Sequence, residues 1–335
     1  MNYINLVMKV GLTYDLRSEY LKEGYSEEET AEFDKEDTIL GIEKGIKSLG
    51  LETERIGNVK KLVKKLAAGK RWNLVFNIAE GMYGIGREAQ IPAILDAYQI
   101  PYVFSDPLVL SLTLHKAMTK RIVRDLSLPT PDFAVVSKEE DIKKVMLPYP
   151  LFAKPVAEGT GKGITAHSKI SNKKELVKSC KSILQKFKQP VLVETFLSGR
   201  EFTIGIIGNG IEARVIGGME IILGEKAEQD IYSFYNKENY ENLVKYKKLS
   251  DPFILDQCAD LSLKIWHGLG CFDGGRIDLR MDANGIINFI EINPLAGLRP
   301  VHSDLVILAE MNGIYHTQLI KMIVEAAIKR HKLII

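Results

Sequence analysis

A chain of 335 residues is too long for one small domain and predicts two or three. With 46% hydrophobic and 26% charged residues it can fill ordinary globular cores, and a net charge of +2 gives no reason to expect a nucleic-acid partner. Three widely spaced cysteines (Cys180, Cys258, Cys271) without a CxxC argue against a disulfide framework or zinc site and fit a reducing cytoplasm, while the absence of a long apolar run or basic leader predicts neither a membrane span nor a signal peptide.

The first third alternates strands and helices. Met8–Thr13 reads as a strand, and Lys35–Leu49 as a helix with apolar Ile39, Ile42, Ile46 and Leu49 before Gly50. Glu52–Ile56 is a strand, Val59–Ala68 a helix, Leu74–Asn77 a strand, Ala89–Tyr98 a helix and Tyr102–Phe104 a strand. This alternation predicts a parallel sheet covered on both faces. The acidic stretch Tyr14–Asp34 breaks the pattern and reads either as a solvated loop or as a lid.

The middle predicts helix Lys116–Leu126, strand Phe133–Val136, helix Glu139–Val145, strand Leu151–Lys154, a Gly-rich loop, helix Lys173–Phe187 and strand Val191–Glu194. The last third begins with strands Glu201–Ile207 and Glu212–Met219. An irregular stretch, helix Phe253–Leu269, strands Gly274–Met281 and Ile286–Ile290, and two closing helices follow.

The chemistry gathers on four stretches. Arg276-Ile-Asp278 and Glu291-Ile-Asn293 lie on strands joined by Asp282-Ala-Asn-Gly285, a hairpin signal. Residues two apart share a strand face, so two carboxylates, an amide and a guanidinium can converge. Hard oxygen ligands of this kind suit Mg²⁺ carrying ATP phosphates. The competing reading is a cross-strand ion pair between Arg276 and Glu291.

The second stretch, Lys154-Pro155-Val-Ala-Glu158-Gly159-Thr160-Gly161-Lys162-Gly163, places a lysine at the end of an apolar strand before three glycines. Glycines let backbone N–H groups close on phosphate oxygens, and a lysine inside an apolar strand needs an anion. The string matches neither GxxxxGK[ST] nor GxGxxG. Lys116 stands at a helix start, where phosphate is also favoured, although a solvated lysine is the commoner outcome. Glu194 through Glu201 forms a strand and polar turn that can meet an adenine edge and ribose hydroxyls. His115, His167, His267 and His316 read as surface residues; His302 falls in a stretch expected to line the site.

Taken in this order, the motifs resemble the ATP-grasp superfamily, with a nearer likeness to D-alanine–D-alanine ligases from about Met8 to Arg330. Leu74–Asn77, Pro101–Tyr102, Leu112–Lys116, Lys154–Gly159, Glu194–Glu201, Arg276–Asp278 and Glu291–Asn293 all fall at that family's spacing. The resemblance implies an α/β fold with an α+β ATP-grasp part: a Rossmann-like pre-ATP-grasp domain over 1–114, a central ATP lid subdomain over 115–201, and a C-terminal subdomain over 202–335 bearing the metal and catalytic site.

It also implies roles. Lys116 and Lys154, with the Glu158, Gly159 and Gly161 loop, would hold ATP phosphates; Glu194 and Leu197 the adenine; and Glu201 the ribose. Asp278, Glu291 and Asn293 would ligate Mg²⁺, with Mn²⁺ as an alternative. Arg276 and the backbone of Gly297 would steady an oxyanion. Glu36 falls where the family grips the first substrate's ammonium, Thr160 replaces a loop serine, and Lys237 falls where a lid lysine reaches the phosphates. The activity implied is dipeptide formation through an acyl phosphate in cytoplasmic peptidoglycan precursor synthesis, by a homodimer acting on small amino acids.

Three departures touch the amino-acid pocket. The lid tyrosine is Glu238, with Tyr235 and Tyr240 nearby; the histidine after Phe76-Asn77 is Glu80; and the serine-leucine pair appears as His302-Ser303-Asp304-Leu305. If Glu36 and Glu80 are neighbours, the first substrate is expected to be more cationic or to carry a second amine. Two other readings stand beside this one: a ligase for another amino or hydroxy acid outside wall synthesis, and a non-catalytic nucleotide-binding module. A dinucleotide oxidoreductase lacks its GxGxxG after the first strand.

Overall fold

The computed structural model describes residues 8–224 and 243–334. β1 (Lys9–Thr13) lies between β2 (Glu52–Gly57) and β3 (Leu74–Asn77), all parallel, with Val10 opposite both Thr53 and Leu74. Helices α1 (Arg17–Lys22), α2 (Glu36–Lys47), α3 (Val59–Ala67), α4 (Gln90–Ala97) and α5 (Pro107–Leu114) accompany this sheet. α2 buries Ile39, Ile42 and Ile46, the spacing of one helix face.

Three expectations are corrected here. Tyr102 makes a single parallel bridge to Val75 and is not part of a strand, because the backbone turns left-handed at Phe104 (φ 76°). The segment from Glu139 is a 3₁₀ turn, Glu139–Lys144, rather than an α-helix. The acidic stretch holds α1, and α5 was not expected at all. Its start signal is present, since the Asp106 carboxylate accepts from the Val109 N–H at 2.9 Å and Pro107 follows the cap. The nearly all-apolar PLVLSLTL hid its period.

The second sheet is antiparallel, in the order β4 (Phe133–Val136), β7 (Val191–Thr195), β5 (Leu151–Pro155), β6 (Lys169–Ile170), and is packed by α7 (Lys173–Phe187). The third is also antiparallel, in the order β10 (Val244–Lys248), β9 (Arg214–Leu223), β8 (Glu201–Ile207), β11 (Gly274–Met281), β12 (Ile287–Asn293). β10 lies where an irregular stretch was expected. α6 (Lys116–Asp125) and α8 (Pro252–Leu269) pack with this sheet. No helix among the described residues is long and apolar enough to cross a membrane.

α9 (Asp304–Met311) and α10 (His316–Arg330) return to the first sheet and share one hydrophobic core with it, from Val10 and Ile46 to Ile320 and Val324. α2 and α10 meet closely at Gly45, where a Cβ would stand 2.5 Å from that of Ile320. Arg330 fixes the return through Asp273 at 2.7 Å and the Tyr102 carbonyl at 2.8 Å. The last helices therefore complete the N-terminal core and hold the third sheet against it.

Candidate active site

The β11–β12 hairpin turns through Asp282–Gly285, where Gly285 takes φ +80° and the Asp282 carboxylate accepts from the N–H groups of Asn284 and Ile286. The turn sets a register in which Arg276 faces Asn293 and Asp278 faces Glu291. Arg276 pairs with Asp278 on its own strand and lies 3.8 Å from Asp304. Burial opposes the Arg276 charge, but Asp278, Asp304 and Glu291 outweigh it and hold the guanidinium firmly protonated. Asp278 also accepts from the Thr203 hydroxyl at 2.9 Å. The cross-strand pair considered for Glu291 is absent among the described residues; Lys116 meets that carboxylate instead, at 3.3 Å.

β5 carries Lys154 into the interior, where it is 3% exposed and 2.9 Å from Glu194. Lys120, one turn after Lys116 on α6, reaches the same carboxylate at 3.1 Å and is fully buried. Burial lowers the Lys120 ammonium to about 8 despite the opposing pull of Glu194. Lys120 is a residue that sequence reasoning passed over; its signal was helical spacing from Lys116 on a buried face.

Lys116 donates to the Glu158 carbonyl at 2.6 Å, and Glu158 pairs with Lys162 at 2.8 Å. The loop beyond is left-handed at Thr160 (φ 52°) and Gly161 (φ 74°). The Gly159 N–H donates to Glu32 at 2.6 Å, and Arg87 grips Glu32 at 2.9 Å and the Ala157 carbonyl at 2.9 Å. Glu32 and Arg87 were not singled out from sequence. They tie the acidic N-terminal stretch to the glycine loop.

These elements enclose a cavity of about 540 Å³ lined by Glu80, Thr160, Arg276, Asn293, Gly297, His302 and Ser303. Gly297 is needed for close approach, because a Cβ there would lie 2.9 Å from the Ser303 Oγ, which accepts from the Arg299 N–H at 2.9 Å. A slot of about 90 Å³ adjoins it through Lys116, Glu158 and Glu291, and is lined by Lys154, Gly161, Glu194, Leu197, Glu201 and Asp278. Glu201 meets Arg280 at 3.3 Å.

One expected site residue stands apart. Glu36 is 53% exposed, is paired with Arg55 at 2.7 Å, and does not line the cavity, because α2 turns it to the outside of the first sheet. The neighbours of Glu80 are Glu88, Glu32, Arg87 and Asp34 instead. Lys237 lies outside the described residues, as do Tyr235, Glu238 and Tyr240. Tyr246, on β10, also lines the cavity.

The donor set fits Mg²⁺. Asp278 and Glu291 face each other with Asn293 one step along, all oxygen donors. The Lys116 ammonium already sits on Glu291 as a cation would.

A family described as D-ala D-ala ligase C-terminus matches residues 122–325. A D-alanine–D-alanine ligase of Aquifex aeolicus is 31% identical over 288 residues, 86% of this chain and 93% of that protein. The chain belongs to the D-alanine–D-alanine ligase family. An uncharacterized protein of Sinorhizobium fredii, y4sG, is 32% identical over 262 residues, 77% of this chain and 75% of its own. In fold, this D-alanine–D-alanine ligase family member matches the ligase of Bacillus anthracis complexed with ATP, with a TM-score of 0.73, 20% identity and coverage of 97% and 99%. It is an ATP-dependent ligase of the ATP-grasp fold.

Proposed function

We propose that this protein is a D-alanine–D-alanine ligase-like enzyme of peptidoglycan precursor synthesis, acting in the cytoplasm as a homodimer. It activates the carboxylate of one amino acid with ATP, and the amine of a second displaces the phosphate to give a dipeptide. The observation that carries this reading is the β11–β12 register, which turns Arg276, Asp278, Glu291 and Asn293 onto two joined cavities beside Lys116.

A carboxylate resists amines because its oxygen leaves poorly, whereas phosphate leaves readily. Phosphoryl transfer asks the protein for positioning and charge neutralisation. Lys116 and Lys154 supply positive charge along the phosphate path, and the glycine loop supplies backbone N–H donors at Thr160 and Gly161, the Gly159 N–H being held by Glu32. Glu194 and Leu197 meet the adenine and Glu201 the ribose. Asp278, Glu291 and Asn293 hold Mg²⁺ (or Mn²⁺), which when bound offsets phosphate charge. Arg276 and the Gly297 N–H donate to the oxyanion formed as the amine attacks. Glu80, Thr160, His302 and Ser303 line the amino-acid end. The glycine loop, latched by Glu32, keeps water from the acyl phosphate.

The test is phosphate release from the purified protein with Mg-ATP and a panel of D- and L-amino acids, with mass spectrometry of the products. Amino-acid-dependent release with a dipeptide mass is expected. ATP binding without release on any amino acid would sink the reading.

A further inference from the structure

The smaller slot carries a carboxylate, Glu194, beside an ammonium, Lys154, at 2.9 Å. Its other walls include apolar Phe152, Ile164, Phe196, Leu197 and Ile290, which suit a flat ring. A 6-aminopurine presents an acceptor at N7 beside a donor at N6, whereas a 6-oxopurine presents two acceptors. An ammonium next to an ionised carboxylate matches the first edge and repels the second. Base choice therefore depends on Glu194 staying charged in a place where it is 3% exposed.

Among the described residues the ion pairs of Glu194 are with Lys154 and Lys120. Lys154 lines the slot and faces the nucleotide, so its ammonium is shared once phosphates arrive. Lys120 lines neither cavity. Its ammonium is fully buried and fastened on three sides: to Glu194 at 3.1 Å, to the Thr130 hydroxyl at 3.0 Å and to the Phe289 carbonyl at 3.1 Å. Thr130 lies before β4 and Phe289 on β12, and the Thr130 hydroxyl itself donates to the Phe289 carbonyl at 3.1 Å. Lys120 cannot follow the nucleotide, and it is the counter-charge that remains. Burial opposes the Glu194 charge, but Lys120 and Lys154 outweigh it and hold the carboxyl below its ordinary range.

We infer that Lys120 is a positioning residue for base choice: it keeps the Glu194 carboxylate charged and oriented as an acceptor, and so selects a 6-aminopurine nucleotide over a 6-oxopurine one. The inference rests on the ligase reading, in which Glu194 meets the adenine. Without Lys120, and with Lys154 drawn toward the phosphates, burial favours a proton on Glu194, and a protonated carboxyl can donate to a 6-oxo group.

The experiment measures dissociation constants for Mg-ATP and Mg-ITP by calorimetry on the full-length protein, with no amino acid present. The wild type is expected to bind ATP at least about tenfold more tightly than ITP. Lys120→Met, near in volume and without charge, is expected to weaken ATP about tenfold while moving ITP far less, so that the preference collapses. Thr130→Val removes one anchor of the ammonium and is expected to narrow the preference in the same direction by about threefold. Circular dichroism checks each fold; Lys120→Met decides when it folds, and Thr130→Val decides otherwise. A deciding variant that keeps the wild-type ratio of ATP to ITP, even with both nucleotides weakened, overturns the inference and leaves the ligase reading standing. A wild type that binds ATP no more tightly than ITP overturns the assignment of Glu194 to the adenine as well.

Discussion

At the nucleotide end of the cavity, Glu194 sits between Lys120 and Lys154, Lys116 meets Glu291, and Arg280 meets Glu201. At the amino-acid end, the half-buried Glu80 and Glu88 line the large cavity without a side-chain ion pair among the described residues. A buried charge must be neutralised, and these two regions do so differently. The first pairs its charges, so its geometry is fixed before any nucleotide arrives. The second leaves two carboxyls without a side-chain ion pair, and burial holds both above the usual carboxylate range. Preorganisation suits the half that performs the same phosphoryl transfer whatever the substrate.

The contrast is sharpened first by Arg276→Ala. It removes the guanidinium beside Asp278 and Asp304 and with it an oxyanion donor, so kcat for phosphate release should fall ~10²–10³-fold, or about 3 kcal/mol. Next, Lys120→Met leaves Glu194 with Lys154 alone. Urea denaturation should then show a loss of about 3 kcal/mol, and a loss below ~1 kcal/mol would break the claim that pairing holds this end together.

Glu88→Gln tests the opposite end. The carboxyl rises from 4.5 to about 7 on folding, so the folded protein binds more protons. The stability this gives is complete below about pH 4.5 and is lost as pH rises through about 7. The glutamine variant should flatten that slope and be more stable than the wild type at about pH 8, by roughly 1 kcal/mol without substrate. An unchanged slope would remove the protonated half of the comparison. The smallest effect belongs to Glu36→Gln, which breaks only an exposed pair with Arg55. Amino-acid KM should stay within about twofold and stability within ~0.5 kcal/mol, whereas a large KM rise would return Glu36 to the pocket.

What the sequence alone determined is local. The alternation of β1, α2, β2, α3 and β3 is written in apolar spacing. Asp282–Gly285 dictates the hairpin that sets Arg276 and Asp278 against Asn293 and Glu291, and glycines mark the loop after Lys154. Each of these follows from the residues of its own segment. The acidic pocket did not. Glu36 was placed in it by motif spacing, yet a helix face is chosen by packing, and α2 turns that residue outward while Thr38 faces the cavity.

Tertiary structure decided the partners. Lys120 and Glu194 are 74 residues apart, Glu32 and Gly159 are 127, and Arg330 and Asp273 are 57. Those pairings depend on which sheet lies against which, and the return of α10 to α2 through Gly45 depends on a core assembled from both chain ends. Backbone propensity acts over one turn or one strand. Neutralising a buried charge is a condition on the whole enclosure, so only the folded chain reveals which carboxylates are paired and which are not.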